Sequence, residues 1–270
     1  MLPGDIPGRP RAMFQDGNRI RFERTVDEAG QAWWLAAFHG PFGLTPEDMA
    51  DLLTSSIDTP KSIIYRSIDG ERHAFSLRVE GRLQDAGEVW FVERSLQLEG
   101  AAFSADQMFI PAGDAQQGRG RRLMGDLIRT GELLGVARIT IEAERIGRYA
   151  WLQAGFVPDR GSWRNIQLEA LRFLQRQQRD LGASLAQLIA MVAAGDATTA
   201  RWLANLRHPV PSHELFHRDG TPRVVPLGKA FFIEASPDWT GEFNFDPDSL
   251  RLARDYISDH IAGGGAADGQ

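Results

Sequence analysis

The sequence contains no cysteine. Disulfide bonds, thiolate metal sites and a cysteine nucleophile are therefore excluded, and a chain without disulfides suits a reducing compartment. No apolar run reaches the roughly 20 residues that a membrane-spanning helix needs. The N-terminal stretch is rich in proline and glycine and lacks the apolar core of a signal peptide. We therefore expect a cytoplasmic protein without membrane partners.

The chain also has no overall excess of positive charge. The 30 lysines and arginines are outnumbered by 36 acidic residues, which gives a formal net charge of -6 at pH 7. This balance disfavours broad, charge-driven binding to nucleic acids. The arginines are unevenly spread, so one region keeps enough positive charge for a local anionic ligand. That region contains Arg119, Arg121, Arg122, Arg129, Arg138, Arg145 and Arg148.

Residue patterns of both helical and extended period occur along the chain. Alternating polarity predicts strands at 19–24, 63–65, 75–79, 89–92, 108–110 and 138–143. Helical spacing and cap residues predict helices at 45–53, at 123–134 and from about 147. Further on, the pattern predicts helices over 168–179, 185–206 and 247–261, a buried strand over 230–235 and a proline-containing loop over 208–226. Asp246 is the expected N-cap of the last helix. The fold class that follows is mixed α/β.

A turn with two glycines follows the strand that is predicted to end at Ile110. Gly118 and Gly120 stand in this turn, and a helix begins at once. Glycine permits a sharp turn and lets the main chain approach a ligand without a Cβ atom in the way. The first N–H groups of a helix lack partners inside the helix and carry the positive end of its dipole, so they bind anions. The sequence therefore predicts an anion site at this turn, although neither the Walker lysine pattern nor Gly-x-Gly-x-x-Gly is present.

This segment resembles motif A of the GNAT superfamily of N-acetyltransferases, whose signature is Gln/Arg-x-x-Gly-x-Gly/Ala at the start of a helix. Gly118 and Gly120 occupy the two glycine places. Ala115 stands where the family has Gln or Arg, and Arg119 stands where an apolar residue is usual. Residues 149–156 resemble the closing helix of the family, which commonly ends in Tyr-x-x-x-Gly-Phe. The two motifs follow each other in the family's order.

The resemblance implies a GNAT-like domain over residues 19–164, with a central mixed sheet flanked by helices. A flexible leader over 1–18 precedes it, and a C-terminal helical and α/β extension over 165–262 and a flexible tail over 263–270 follow. The co-substrate that it implies is acetyl-CoA or another acyl-CoA. The pantetheine arm would pair with the strand end, and the pyrophosphate would lie on the amides of the turn. The implied binding residues are Phe109, Ile110, Gln117, Gly118, Arg119, Gly120, Arg121 and Arg122.

The activity implied by the resemblance is direct attack of a primary amine on the acyl thioester, without a protein nucleophile. A base takes the proton of the amine, and an acid protonates the leaving thiolate. Trp151 occupies the place of the tyrosine that frequently acts as this acid, and Tyr149 lies two residues earlier. Glu142 and Glu144 are candidate bases. We assign Glu142 and Tyr149 as the catalytic candidates and predict no metal site.

Two other functions stay open at this point. A GNAT-fold module that binds a ligand or partner without transfer is suggested by Trp151 and Ala115. A zinc metallopeptidase is suggested by residues 213–217, which fit His-Glu-x-x-His, with His208 or Glu234 as a third ligand. Prolines and a glycine on both sides leave little room for the helix that such a site requires, so we predict a capped helical turn in a loop.

The acceptor cannot be identified from the residues. A small-molecule amine and a protein amine are both consistent with the motifs. The C-terminal extension is equally open, since it would suit a cover over the acceptor cleft, a homodimer contact or the docking of a partner.

Overall fold

A computed structural model describes residues 12–82, 88–111, 118–177, 184–217 and 219–263. The predicted class is confirmed at the level of a mixed α/β fold, in which the strands are mostly antiparallel. The chain divides into two compact units, Met1–Ile139 and Thr140–Gln270. The domain boundary at 164/165 stays a prediction. Within the described ranges no helix combines the length and the apolar character needed to cross a membrane.

The sheet of the first unit follows chain order. Its strands are β1 (Ile20–Phe22), β2 (Lys61–Asp69), β3 (Ala74–Arg82), β4 (Val89–Gln97) and β5 (Ala102–Phe109). β1 runs parallel to β2, and each later neighbour is antiparallel to the one before it. The predicted alternation is confirmed in β3, where Phe75, Leu77 and Val79 are buried because successive side chains of a strand point to opposite faces.

The helices of the first unit are α1 (Glu28–Trp34), which continues into a π-helical turn (Leu35–His39) and α2 (Gly40–Phe42), then α3 (Pro46–Leu52) and α4 (Arg119–Leu134). The predicted N-cap of α3 is confirmed: Thr45 and Asp48 form a capping box, which satisfies amides that the helix itself leaves unpaired. Trp34 and Phe38 pack in the core with ring centroids 4.7 Å apart.

The helix predicted after the glycine turn is confirmed as α4. Leu123, Leu127 and Thr130 lie on its buried face at the expected spacing. Gly135 ends it with φ 65°, the left-handed conformation that favours glycine at a helix C-terminus.

The second unit contains strands, helices and a separate hairpin. β10 (Trp239–Asn244) lies between β6 (Arg138–Ala143), which begins at the unit boundary, and β7 (Val157–Pro158), to which β10 is antiparallel. β8 (Pro209–Phe216) and β9 (Pro222–Pro226) pair only with each other among the described strands. The helices are α5 (Gly147–Gln153), α6 (Arg160–Arg176), α7 (Ser184–Ala194), α8 (Thr199–Ala204), α9 (Leu227–Glu234) and α10 (Pro247–Gly263).

Three predictions for this unit are wrong. The long helix over 185–206 is two helices, α7 and α8, separated by a turn in which Asp196 accepts a hydrogen bond from the Thr198 amide at 2.9 Å. The strand over 230–235 is part of α9, because an uninterrupted apolar run fits a buried helix as well as a buried strand. The loop over 208–226 is the β8–β9 hairpin. Its prolines are tolerated because both strands are edge strands.

Candidate functional site

The strand predicted to bind pantetheine, β5, ends at Phe109, one residue before the predicted end at Ile110. Phe109 is 50% exposed, and its ring stacks on Phe91 with centroids 5.7 Å apart. Ile110 is half-buried and Pro111 is buried. The strand end therefore presents an accessible aromatic side chain, followed by main-chain groups that lie beyond the last strand pair.

Gly118 is the N-cap of α4, with φ 69° and ψ 15°. Glycine adopts this left-handed conformation readily, whereas a side chain would be strained there. No side-chain hydrogen bond caps this helix start among the described residues. Gln117, with Ala115 and Gln116, lies outside the described residues, so the place of Gln117 in the site stays a prediction.

The first turn of α4 is electropositive. Arg119 and Arg121 are half-buried, Arg122 is exposed, and the turn contains no acidic residue. The N-terminus of a helix carries about half a positive elementary charge, which repels cationic side chains. Three arginines therefore add positive charge at the end of the helix where the dipole is already positive.

Among the described residues nothing packs closely against Gly120. A Cβ atom built on it would meet only the Cε atom of Met108, at 4.0 Å, within the described structure. Glycine at an unstrained helical position costs up to about 1 kcal/mol relative to alanine. With respect to the described residues this space is open, and glycine lets the main chain of this turn approach a ligand closely.

A buried carboxylate holds α4 in place. Asp126 is 1% exposed, and its oxygens accept hydrogen bonds from the hydroxyls of Ser55 at 2.7 Å and Ser56 at 2.5 Å and from Arg129 at 2.5 Å. The two serines follow α3, so this contact ties two helices of the first unit together. Asp126 is not among the residues predicted from the sequence; its signal there is an acidic residue within the apolar stripe of the helix.

A cavity of about 660 Å³ opens at the same end of the sheet. The strand pairing shows that the cavity lies near the end of β5: Val89 and Arg82, which line the cavity, pair with each other, and Phe91, two residues after Val89, pairs with Phe109. Burial lowers the pKa of Lys61, against the opposing charges of Asp51 and Asp126. The volume suits a small molecule, but none of the described residues predicted to bind acyl-CoA lines it. The lining is Pro60, Lys61, Ser62, Glu80, Gly81, Arg82 and Val89.

The predicted catalytic residues belong to the second unit, whereas the described cofactor-binding residues belong to the first. Glu142 is exposed on β6, and Tyr149 is half-buried in α5. Trp151, in the place of the family's tyrosine, is only 5% exposed and packs against Phe156 with centroids 4.8 Å apart. The structure therefore brings Phe109, Ile110 and the glycine turn into one unit, and the roles of Glu142 and Tyr149 stay predictions.

The Gly-Phe end of α5 has a structural explanation. Gly155 has φ 92°, and a Cβ atom on it would lie 2.7 Å from the carbonyl oxygen of Ser249. Arg201 donates hydrogen bonds to the carbonyl oxygens of Gly155 and Phe156 and to the Ser249 hydroxyl. Glycine is therefore required at position 155 by backbone conformation and packing, whatever the ligand.

The His-Glu-x-x-His segment is extended, and the predicted helical turn is wrong. Residues up to Phe216 form β8, and His217 lies just beyond it. The pairing of β8 with β9 is irregular between Pro211 and Phe216, and no helix holds His213 and His217 on one face, as a zinc site of this pattern requires. Glu234 instead accepts hydrogen bonds from the Ser212 hydroxyl at 2.5 Å and from the His213 amide at 2.8 Å. Among the described residues no group of three or more metal-ligating side chains is present.

Comparison of the chain with protein-family models, with curated proteins and with solved structures gives no match. Function is therefore inferred from the geometry of the glycine turn and from the two motifs that resemble the GNAT superfamily.

Proposed function

We propose that this chain is an N-acyltransferase, which moves an acetyl or other acyl group from acyl-CoA to a primary amine. The observation that carries the proposal is the accumulation of positive charge at the start of α4. Gly118 turns the chain in the left-handed conformation, and three arginines follow where the helix dipole disfavours cations. A pyrophosphate bound at this turn interacts favourably with the positive end of the helix dipole and with the nearby arginines.

The binding mode uses main-chain groups as well as charge. The amides in the first turn of a helix point along its axis toward an incoming anion. The absence of a Cβ atom at Gly120 leaves space on this turn, and the exposed ring of Phe109 lies at the end of the strand proposed for the pantetheine arm. Charge, amide donors and close access are three properties that a diphosphate site requires.

The proposed reaction needs no covalent enzyme intermediate. The amine nitrogen bonds to the thioester carbonyl carbon, the carbon–sulfur bond breaks, and CoA leaves as a thiolate. One proton passes from the amine to a base, for which we propose Glu142. The thiolate takes a proton from Tyr149 or from water.

Calorimetry with acetyl-CoA and CoA tests the binding step. We expect a dissociation constant on the order of 1 μM, or about -8 kcal/mol, and its loss in Gly120→Glu, which places a carboxylate at the phosphate position. Pantetheine, which lacks the pyrophosphate together with the phosphoadenosine that it carries, is a ligand control and should bind at least about tenfold more weakly. The absence of binding to any acyl-CoA would remove the proposal.

A GNAT-fold binding module without transfer is the second candidate. The buried Trp151 favours it, because an indole has no acidic proton at the place where the family frequently has a tyrosine. Release of free thiol from acetyl-CoA across a panel of amines separates the two functions. Thiol release with at least one amine supports transfer, whereas tight CoA binding without release supports the binding module.

A further inference from the structure

Arg94 is a charged residue in the interior of the first unit. It lies on β4 in phase with Trp90, Val92 and Leu96, and all four side chains are at most 1% exposed. Its Nη1 atom donates hydrogen bonds to the carbonyl oxygens of Glu93 at 2.8 Å and Gln107 at 3.0 Å. The side chain therefore joins β4 to β5 through main-chain groups.

The remaining edge of this guanidinium is unsatisfied. Its Nε and Nη2 atoms have no hydrogen-bond partner in the described part of the chain. Burial lowers the pKa of Arg94 to about 10, against the opposing charge of Asp106, so the group is still a cation at neutral pH. A buried cation with unpaired donors destabilises a fold, and an apolar side chain of similar volume often does not. The local environment therefore gives no stability reason for arginine here.

The carbonyl of Gln107 lies at an irregularity in the pairing of β4 with β5. Glu93 pairs with Gln107 and Ser95 pairs with Ser104, so Arg94 stands opposite two residues of β5 instead of one. An extra residue of this kind reverses the in–out alternation beyond it. Asp106 and Gln107 are consecutive exposed residues for this reason.

The bulge decides which side chains reach the glycine turn. Met108 pairs with the buried Val92, and its Cε atom lies 4.0 Å from the Cβ position of Gly120. Phe109 points to the other face, where it stacks on Phe91. Without the bulge the two positions would exchange faces, since the side-chain period of a strand is two.

We propose that Arg94 is a positioning residue that fixes the bulge of β5 and so sets the strand end against the first turn of α4. It acts through the carbonyl of Gln107. The inference rests on the proposed acyl-CoA site and assigns Arg94 a part in shaping it.

The test compares Arg94→Met and Arg94→Lys in the full chain. Leu77→Val is the matched core control, because Leu77 is fully buried on β3, which pairs with β2 and β4. Thermal unfolding, ¹H–¹⁵N spectra of the unliganded protein and CoA titration are measured for each. Arg94→Met should keep or raise the melting temperature, shift the amide signals of Gly118 and Gly120, and weaken CoA binding by about tenfold to a hundredfold, the scale expected of a small misplacement.

Arg94→Lys, which retains a donor for the Gln107 carbonyl, should restore most of the affinity and return the two glycine signals toward the wild-type positions. Leu77→Val should lower the melting temperature and leave CoA affinity and both signals unchanged. The inference is overturned if Arg94→Met folds with unmoved Gly118 and Gly120 signals, or if its CoA affinity stays unchanged or falls only together with its melting temperature.

The glycine signals separate this inference from the proposed function. If the wild type binds no acyl-CoA but the two signals still move in Arg94→Met, the acyl-CoA site fails and the positioning role stands. If the wild type binds CoA and the signals do not move, the positioning role fails and the acyl-CoA site stands.

Discussion

The carboxylate of Asp126 accepts hydrogen bonds from the main-chain amide of Ser56 at 2.9 Å and from its hydroxyl at 2.5 Å. Ser56 lies in the segment after α3, and Asp126 lies on the buried face of α4. The contact spans 70 residues of sequence and fixes α4 against its neighbour. The position of the helix start, and therefore of the glycine turn proposed to bind an anion, depends on this pair.

Replacing Asp126 should be costly. In Asp126→Ala the amide of Ser56 and two serine hydroxyls lose their acceptor, so we expect a loss of about 1–3 kcal/mol in the free energy of unfolding. Urea denaturation measures it. Arg129→Ala is the control, because the Arg129 side chain is 59% exposed and the serine hydrogen bonds to Asp126 stay in place, so we expect a smaller loss. Equal losses in the two variants would contradict the anchoring role of Asp126.

Gly120→Ala should separate stability from binding. Among the described residues the built Cβ atom meets only Met108, at 4.0 Å. We therefore expect alanine to fit, and its helix propensity should raise the free energy of unfolding by up to about 1 kcal/mol. The same methyl group occupies the space proposed for the pyrophosphate, and CoA affinity should fall. Thermal unfolding and calorimetry on one preparation check both. Unchanged CoA affinity in a stabilised variant would count against close approach at this residue.

Reversing the charge of Arg122 should raise the stability of the unliganded protein and lower its affinity for CoA. Glutamate in the first turn of α4 agrees with the helix dipole, so Arg122→Glu should stabilise the unliganded protein by about 1 kcal/mol. CoA affinity should fall by about tenfold, which corresponds to 1.4 kcal/mol, with a weaker dependence on salt. Arg21→Glu, at an exposed position on β1, makes the same change in net charge. If both variants lose affinity equally, overall charge and not the turn controls binding.

We expect the N-cap of α10 to contribute to the free energy of unfolding in a pH-dependent way. Asp246 accepts hydrogen bonds from the amides of Asp248 and Ser249, each at 3.0 Å. Burial raises its pKa, but the Ser249 hydrogen bonds and the charge of Arg201 outweigh burial and lower it below 3.8. A carboxylate with a lowered pKa contributes stability above its unfolded pKa, and the contribution is lost as pH falls through the folded value.

We therefore expect Asp246→Ala to cost about 1 kcal/mol at neutral pH and progressively less below pH 3.8. Urea unfolding at a series of pH values measures the difference. Asp246→Asn, which still caps a helix, should lose less at neutral pH. Asp248→Ala is a surface control, since the Asp248 side chain is 83% exposed. A difference between wild type and Asp246→Ala that stays constant with pH would show that the carboxylate charge has no part in the cap.

Local sequence signals were sufficient to predict an element where the spacing of apolar residues fitted one type of secondary structure only. The alternation in β3 and the stripe from Leu123 to Thr130 gave the correct elements, and the Thr45 and Asp246 caps were identified because capping depends on residues within three positions. The apolar run in α9 was misassigned because burial on all sides removes the periodicity. The metalloprotease pattern was misleading because a five-residue match does not specify whether the segment is helical.

The side chains that support the candidate site could not be found in this way. Asp126 and Arg94 are charged residues at positions where the helix or strand pattern is otherwise apolar. Asp126 accepts a hydrogen bond from the Ser56 amide, and Arg94 donates one to the Gln107 carbonyl, so both contacts join segments that are separated in sequence. Gly120 and Gly155 look alike in the sequence, yet within the part of the chain that the structure describes Gly155 is confined by packing and Gly120 is not. These differences depend on the three-dimensional surroundings of each residue.

The order of residues alone determined the mixed α/β class, the glycine turn between a strand and a helix, and the local excess of arginine, because each depends on neighbours within a few positions. Tertiary structure decided the bulge opposite Arg94, the burial of Asp126 and Trp151, and the extended form of residues 213–216. These features depend on which segments, distant in sequence, pack around a side chain and exclude water from it. They also depend on which groups form hydrogen bonds with its polar atoms. Sequence spacing does not encode that information.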